Sequence, residues 1–337
     1  MRDINHMTDN QSKSTTIQSQ SVVVMGGGNG TACTLRGLKA YVNEINLSAV
    51  VSMSDSGGSS GRLRDEFHTL PVGDIMRATL ALSRYDYHSV LKPLFYKKRF
   101  DGVGKLNGHN LGNLFLILAS QYGGSLPDAI SALHHVLECV GHAYPVTLDK
   151  SDLIGELTDG TEVRTEGELD RPKYVRSLRI KKAWLDPAPT VYKKAKEVLE
   201  KADWIVMGPG SLYCSIIASL LPNGVKEAIA ESKARLVYVS GNAHEKDGET
   251  GPNKLSEFVS ELEQYLPRPL DLIVYNGHEI SPKDDALYAE RGWVRFEQDM
   301  DPSKERRLHI CDYETEKKGL CAESLAVCLM KHIREML

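Results

Sequence analysis

The 337-residue sequence contains no apolar run near the ~20 residues that a membrane-spanning helix requires, so no membrane span is expected. It also lacks any basic excess. Lys and Arg total 41 against 45 Asp and Glu, and a net charge of −4 leaves no positive field to hold a nucleic-acid backbone. None of the six cysteines, at positions 33, 139, 214, 311, 321 and 328, forms a C-x-x-C pair. That spacing argues against a zinc site and against a secreted disulfide framework, and it predicts six reduced thiols in a cytoplasmic protein. The full G-x-G-x-x-G fingerprint, the lysine of a Walker loop, the nucleophile elbow and any Ser-His-Asp order are absent too. Triad hydrolase chemistry therefore has no support.

What is present is ordinary globular material. Hydrophobic residues make up 41% and charged residues 26%, enough at this length for one large α/β domain. Residues 1–20 are polar and rich in Ser, Gln and Asn, and are expected to be a disordered tail. The apolar stretch Val22–Met25 is too short for a signal-peptide core. The folded domain is expected over 21–335.

Within it, Ser21–Met25 reads as a strand, Gly26-Gly27-Gly28-Asn29-Gly30 as a turn, and Ala32, Leu35, Leu38 and Val42 as a helical stripe. Ala49–Met53 reads as a second strand, and helices are expected within Pro71–Ser83 and directly after His109-Asn110. The pattern returns at Trp204–Met207, Gly208-Pro209-Gly210-Ser211 and the stripe Leu212, Ile216, Ile217 and Leu220. Leu236–Val239 and Leu272–Tyr275 are further apolar strands. Short, wholly apolar strands alternating with amphipathic helices predict a Rossmann-like three-layer α/β/α fold with a mostly parallel sheet. Residues 145–187 differ: Ile154–Leu157, an Asp159-Gly160 turn and Glu162–Arg164 form a hairpin pattern within a β-rich insertion.

The candidate chemistry sits in the loops that follow strands. Glycines let the backbone approach a ligand closely, and the next helix offers unpaired N–H groups and a positive dipole end to a phosphate. Gly27, Gly28, Asn29, Gly30 and Thr31 form the first such loop. Asp55 stands where doubly wound folds present a carboxylate to a ribose, or where Mg²⁺ finds an oxygen ligand. It is the one residue to suspect of a catalytic role. Gly57-Gly58-Ser59-Ser60-Gly61-Arg62 then combines backbone donors, hydroxyls and a guanidinium suited to a diphosphate. Gly208, Gly210 and Ser211 repeat the arrangement, with Tyr213 as a possible stacking ring. His109, Asn110 and Asn113 put polar side chains at another helix start, and Asn242, Glu249 and Thr250 follow a strand. Lys97-Lys98-Arg99 and His244–Asp247 read as solvated charge, and His134-His135 as a half-buried pair lacking metal-ligand spacing. In an open parallel sheet, loops at the carboxyl ends of the strands share one crevice.

The motifs G-G-G-N-G-T (26–31), S-D-S-G-G-S-S-G-R-L-R (54–64), P-V-G-D (71–74, ending at Asp74), G-H-N-L-G-N-L (108–114), G-P-G-S-L-Y (208–213) and G-E-T (248–250) occur in this order. Together they resemble the gluconeogenesis-factor (YvcK-like) branch of the phospholactate-transferase-like superfamily, over roughly residues 21–335. The resemblance implies a dimeric nucleotide-binding protein whose ligand is a nucleotide-sugar, UDP-N-acetylglucosamine above all, with NAD as a second occupant. It also implies a role in cell shape and growth on gluconeogenic carbon. The related transferases use a nucleotide-activated donor and Mg²⁺, and the G-G-S-S-G-R-L-R stretch favours the regulatory branch over them. Two departures stand out: Ser56 where that family commonly has Asp, and Asn242-Ala243-His244-Glu245-Lys246 in place of N-x-M-T-Q.

Overall fold

The computed structural model describes residues 19–335 except Lys98. Most of the expected tail, residues 1–18, therefore lies outside the described residues. Seven strands form the main sheet: β1 Gln20–Gly26, β2 Ile45–Val51, β3 His142–Pro145, β4 Trp204–Met207, β5 Arg235–Ser240, β6 Leu272–Asn276 and β7 Leu308–Cys311. Their order is β7-β6-β5-β4-β1-β2-β3, and every pairing is parallel. The fold is α/β of the doubly wound type, as the strand patterning predicts.

The missing period-2 alternation has a simple cause. Val22, Val23, Val24 and Met25 in β1 are each at most 1% exposed, because helices cover both faces of the sheet. Fully burying such a side chain contributes about 1.5–3 kcal/mol before chain entropy is subtracted. Helix α1 (Gly28–Leu38) carries the chain rightward from β1 to β2, whereas the helix Val225–Glu231 carries it leftward from β4 to β5. Right-handed crossovers then put these two helices on opposite faces. The order reverses between β1 and β4, and this leaves a crevice at their carboxyl ends.

Further helices follow the polar loops: α2 Gly58–Phe67, α3 Gly73–Leu82 and α4 Leu111–Tyr122. The stripe at 212–220 begins with a wider turn than expected, in which the Ile216 amide donates to Ser211 O, five residues back, at 3.1 Å. A three-stranded antiparallel sheet forms from Asp152–Leu157, Glu162–Arg164 and Ile180–Asp186. A second small sheet pairs Ala243–Glu245 with Trp293–Arg295, so part of the charged 244–247 segment is a strand and not a free loop.

One expectation is corrected. Cys311 and Cys328 are bonded, with an S–S separation of 1.96 Å, while Cys33, Cys139, Cys214 and Cys321 are free. Parallel pairing carries Cys311 to the end of edge strand β7, beside a residue 17 positions onward, and sequence spacing does not register that proximity. Among the described residues no helix is long and apolar enough to cross a membrane.

Candidate functional site

Four helix N-termini point into one cavity of about 600 Å³ at the carboxyl edge of the sheet. Helices α1, α2 and α3 start at Gly27, Gly57 and Val72, none of which caps with a side chain. No N-cap side chain therefore takes up their first-turn N–H groups where the cavity begins, although the Gly28 amide donates to the Asp74 carboxylate. The α4 start differs, because Asn110 Oδ1 accepts from the Asn113 amide at 2.8 Å. The Gly208–Ser211 loop closes against α1 so tightly that a Cβ on Gly30 would stand 1.9 Å from Pro209 O. Only glycine permits that approach.

Most of the expected residues reach this cavity. Gly27, Gly28, Asn29 and Gly30 line it from β1, and Asp55, Gly57, Gly58, Ser59 and Ser60 from β2. Asp74, Asn110 and Asn113 flank them, and Gly210, Ser211, Asn242 and Glu249 face them from the β4–β5 side. Others lie behind the wall. Thr31 is 2% exposed beneath the first loop. His109 is buried, and its Nδ1 meets Ser59 Oγ at 2.9 Å, where Asn113 Nδ2 also donates at 3.3 Å. Burial, then the Arg62 charge, lowers the His109 pKa, which keeps the ring neutral. Gly208 supports the loop by accepting from Thr34 Oγ1 at 3.1 Å. Thr250 Oγ1 pairs with Tyr174 OH at 2.9 Å, and its carbonyl accepts from the Ile180 amide, so it fastens the insertion.

Two role assignments are corrected. Tyr213 is not a stacking ring: it is 1% exposed, and its hydroxyl donates to Ile180 O at 3.1 Å and contacts the Glu261 carboxylate. Arg62 does not reach the cavity, because it runs along the exposed side of α2 toward Gly108. The cavity cations are Arg77, Arg99 and Arg171. Arg99, expected as solvated charge, is exposed at this wall and donates to Gly108 O at 2.7 Å.

The acidic side is more elaborate than one aspartate. Asp55 Oδ1 accepts from the Gly57 amide at 2.9 Å. Asp74 accepts from the Gly28 amide and pairs with Arg77. Burial outweighs that pairing and, with Asp55 nearby, raises Asp74 to about 6. The insertion supplies Glu166, whose Oε2 accepts from the Ser56 amide at 3.2 Å while the Gly167 amide donates to Ser56 Oγ at 2.8 Å. Burial, then the Asp55 charge, pushes Glu166 up to about 8, so it holds a proton at neutral pH. Where the resembling family places a second aspartate, this chain brings a glutamate from 110 residues away.

Asp55 and Asp74 offer the oxygen ligands that Mg²⁺ takes. A second cluster, Glu166, Asp170 and Cys214, keeps its ligand atoms within 4.8 Å of one another. Burial holds the Cys214 thiol well above its ordinary pKa, so it stays protonated, and protonated sulfur is a poor partner for a hard cation.

The opposite end carries rings. Tyr238, Phe258, Tyr288, Trp293 and Phe296 line it, and Tyr288 OH donates to Asn242 Oδ1 at 3.1 Å. Asn110 Nδ2, Asn113 Oδ1 and Asn242 Nδ2 are buried without a hydrogen-bond partner among the described residues. Orphaned amide atoms of this kind are rare in finished structures and cluster where something else binds. Sequence reasoning missed Arg77, Glu166 and the ring-lined end. Arg77 had a usable signal, three residues after Asp74 on one helix face. The others come from segments distant in sequence.

Comparison with known proteins agrees with this architecture. The family model described as "2-phospho-L-lactate transferase CofD" matches residues 22–315. The gluconeogenesis factor of Halalkalibacterium halodurans is 37% identical over 276 residues, covering 81% of this chain and 83% of that protein. That of Listeria innocua is 41% identical over 230 residues, 68% of each chain. A crystal structure of a UPF0052-family protein from Bacillus halodurans superposes with a TM-score of 0.83 at 32% identity, covering 93% of this chain and 99% of that one. By these matches, the chain belongs to the CofD family, in its gluconeogenesis-factor branch.

Proposed function

We propose that this chain is a cytoplasmic regulatory protein that binds a nucleotide-sugar of the UDP-N-acetylglucosamine type and acts in cell-shape and carbon-metabolism control. The carrying observation is the convergence of the α1, α2 and α3 starts on one cavity, with helix-start amides that no N-cap side chain takes up at one end and aromatic rings at the other. In this reading a diphosphate takes the amides of the Gly27–Gly30 and Gly57–Ser60 loops, with Arg77 as its cation in place of Arg62. The ring-lined end suits a planar base, and Asp55 and Asn110 take hydroxyls. The gluconeogenesis-factor names of the relatives support the regulatory role. The protein acts as a homodimer, and NAD is a second candidate occupant of the same crevice.

One observation favours a second reading, a Mg²⁺-dependent transferase that moves a phosphoryl-linked group. Asp55 and Asp74 crowd against the anion cradle beside the protonated Glu166, where a divalent cation would offset the two aspartate charges. Thermal-shift titration with UDP-N-acetylglucosamine separates the readings. A ligand at ~100 times its Kd adds about 2.7 kcal/mol, and regulation predicts that shift without Mg²⁺ and with the ligand recovered intact. Mg²⁺-dependent consumption that disappears in Asp55→Asn selects the transferase. No shift with any nucleotide rejects both.

A further inference from the structure

The Cys311–Cys328 bond closes a ring around the loop that completes the cavity wall. Its two ends are 17 residues apart, and between them Glu314, Gly319 and Leu320 line the cavity. On the sheet side this loop is fastened by Tyr313, fully buried, whose hydroxyl donates to Val274 O at 3.1 Å, and by Glu314, which accepts from Asn276 Nδ2 at 2.6 Å. The far side of the loop is tied by the Cys321 amide to Tyr313 O at 2.8 Å, by Lys318 to Asp284 at 2.9 Å, by Arg291 to Lys318 O at 2.6 Å and by the disulfide itself. Strand β7 is an edge strand with one neighbour, and it meets the helix Ala322–Arg334 through the Cys311 disulfide and through the His309 and His332 rings, 4.1 Å apart. Cys328 is buried, whereas Cys311 is half-buried between Ile310, 48% exposed, and near Val327, 60% exposed. A reagent in solution therefore meets Cys311 Sγ first.

We propose that Cys311–Cys328 is a redox modification site whose oxidation state sets the order of the Asp312–Cys321 wall and hence the affinity of the cavity. The reductant class is a small dithiol. Its thiolate attacks Cys311 Sγ, forming a mixed disulfide, and Cys328 leaves as a thiolate that takes up a proton. The second thiol of the reagent then closes on the first, releasing Cys311 as a thiol. Two electrons pass from the dithiol to the cysteine pair. The coupling to affinity rests on the nucleotide reading above. The redox site does not.

The full chain is compared before and after dithiothreitol. Peptide mapping of the non-reduced protein yields a Cys311–Cys328 cross-linked peptide, and its absence overturns the proposal. Hydrogen exchange at the amides of 312–321 speeds up on reduction of the ligand-free protein, and unchanged exchange overturns it. The Kd for UDP-N-acetylglucosamine rises by about 5-fold or more on reduction, while equal values in both states overturn the coupling. The Cys311→Ser, Cys328→Ser double variant matches the reduced protein whether or not dithiothreitol is present. If oxidised protein binds no nucleotide, the nucleotide reading fails, and peptide mapping and exchange still decide the redox site.

Discussion

Glu166 of the insertion accepts the Ser56 amide proton at 3.2 Å, so a carboxyl group from the short helix Glu166–Asp170 sits on the loop that carries Asp55. Its pKa, raised from 4.5 to about 8, makes it a proton-holding clasp. Between these values the folded protein holds a proton that the unfolded chain releases. Stability from this group is therefore fully present below pH 4.5 and is lost as pH rises toward about 8. Asp74, raised to about 6, adds to the lower part of that window. Glu166→Gln fixes the neutral form. Melting curves from pH 5 to 9 are expected to show a smaller fall in Tm for Glu166→Gln than for the parent. Parallel curves would refute the clasp.

Arg77 and Arg62 should separate cleanly. Arg77 pairs with Asp74 at the cavity wall, and Arg62 is exposed outside it. Charge-assisted hydrogen bonds contribute about 1.5–3 kcal/mol, so Arg77→Lys is expected to raise the Kd for UDP-N-acetylglucosamine by roughly 10-fold or more. Arg62→Ala is expected to leave it within about 2-fold. Calorimetric titration of both variants checks this, and the reverse ranking restores Arg62 as the ligand cation.

Gly30→Ala places a methyl 1.9 Å from Pro209 O, backbone that cannot swing aside. Overpacking of this kind costs about 1–3 kcal/mol. Urea unfolding should record that loss, together with weaker nucleotide binding, because the strain opens the two loops that meet there. An unchanged midpoint would mean that the loops are not in contact.

Tyr213 is a packing residue in this fold, with its hydroxyl turned to Ile180 O and Glu261. Tyr213→Phe keeps the ring and loses about 1 kcal/mol of hydrogen bonding, whereas Tyr213→Ala leaves a cavity costing about 3–5 kcal/mol. Nucleotide affinity of Tyr213→Phe should equal that of the parent. A marked loss of affinity with unchanged stability would return Tyr213 to the binding surface.

The chain's local chemistry was enough to read strand, glycine turn and helix starts at 26–31 and 208–213 and the strand end and glycine loop at 54–62, though not the helix Gly58–Phe67 that begins inside that loop. Glycine, capping and apolar spacing act over a few residues, and strands buried on both faces leave continuous apolar runs. Sequence also identified Asp55 and Ser59 as polar groups after a strand end, which a parallel sheet gathers on one edge, and Asn110 as a polar group at a helix start. The tertiary structure alone decided which cation faces that edge, since Arg62 and Arg77 look alike until the faces of α2 and α3 are fixed. Only folding brought Glu166 to Ser56, the rings of 238–296 to one wall, and Cys311 to Cys328. Those contacts join segments separated by 17 to 110 residues, and they follow from the order of strands and the handedness of crossovers, which no local pattern encodes.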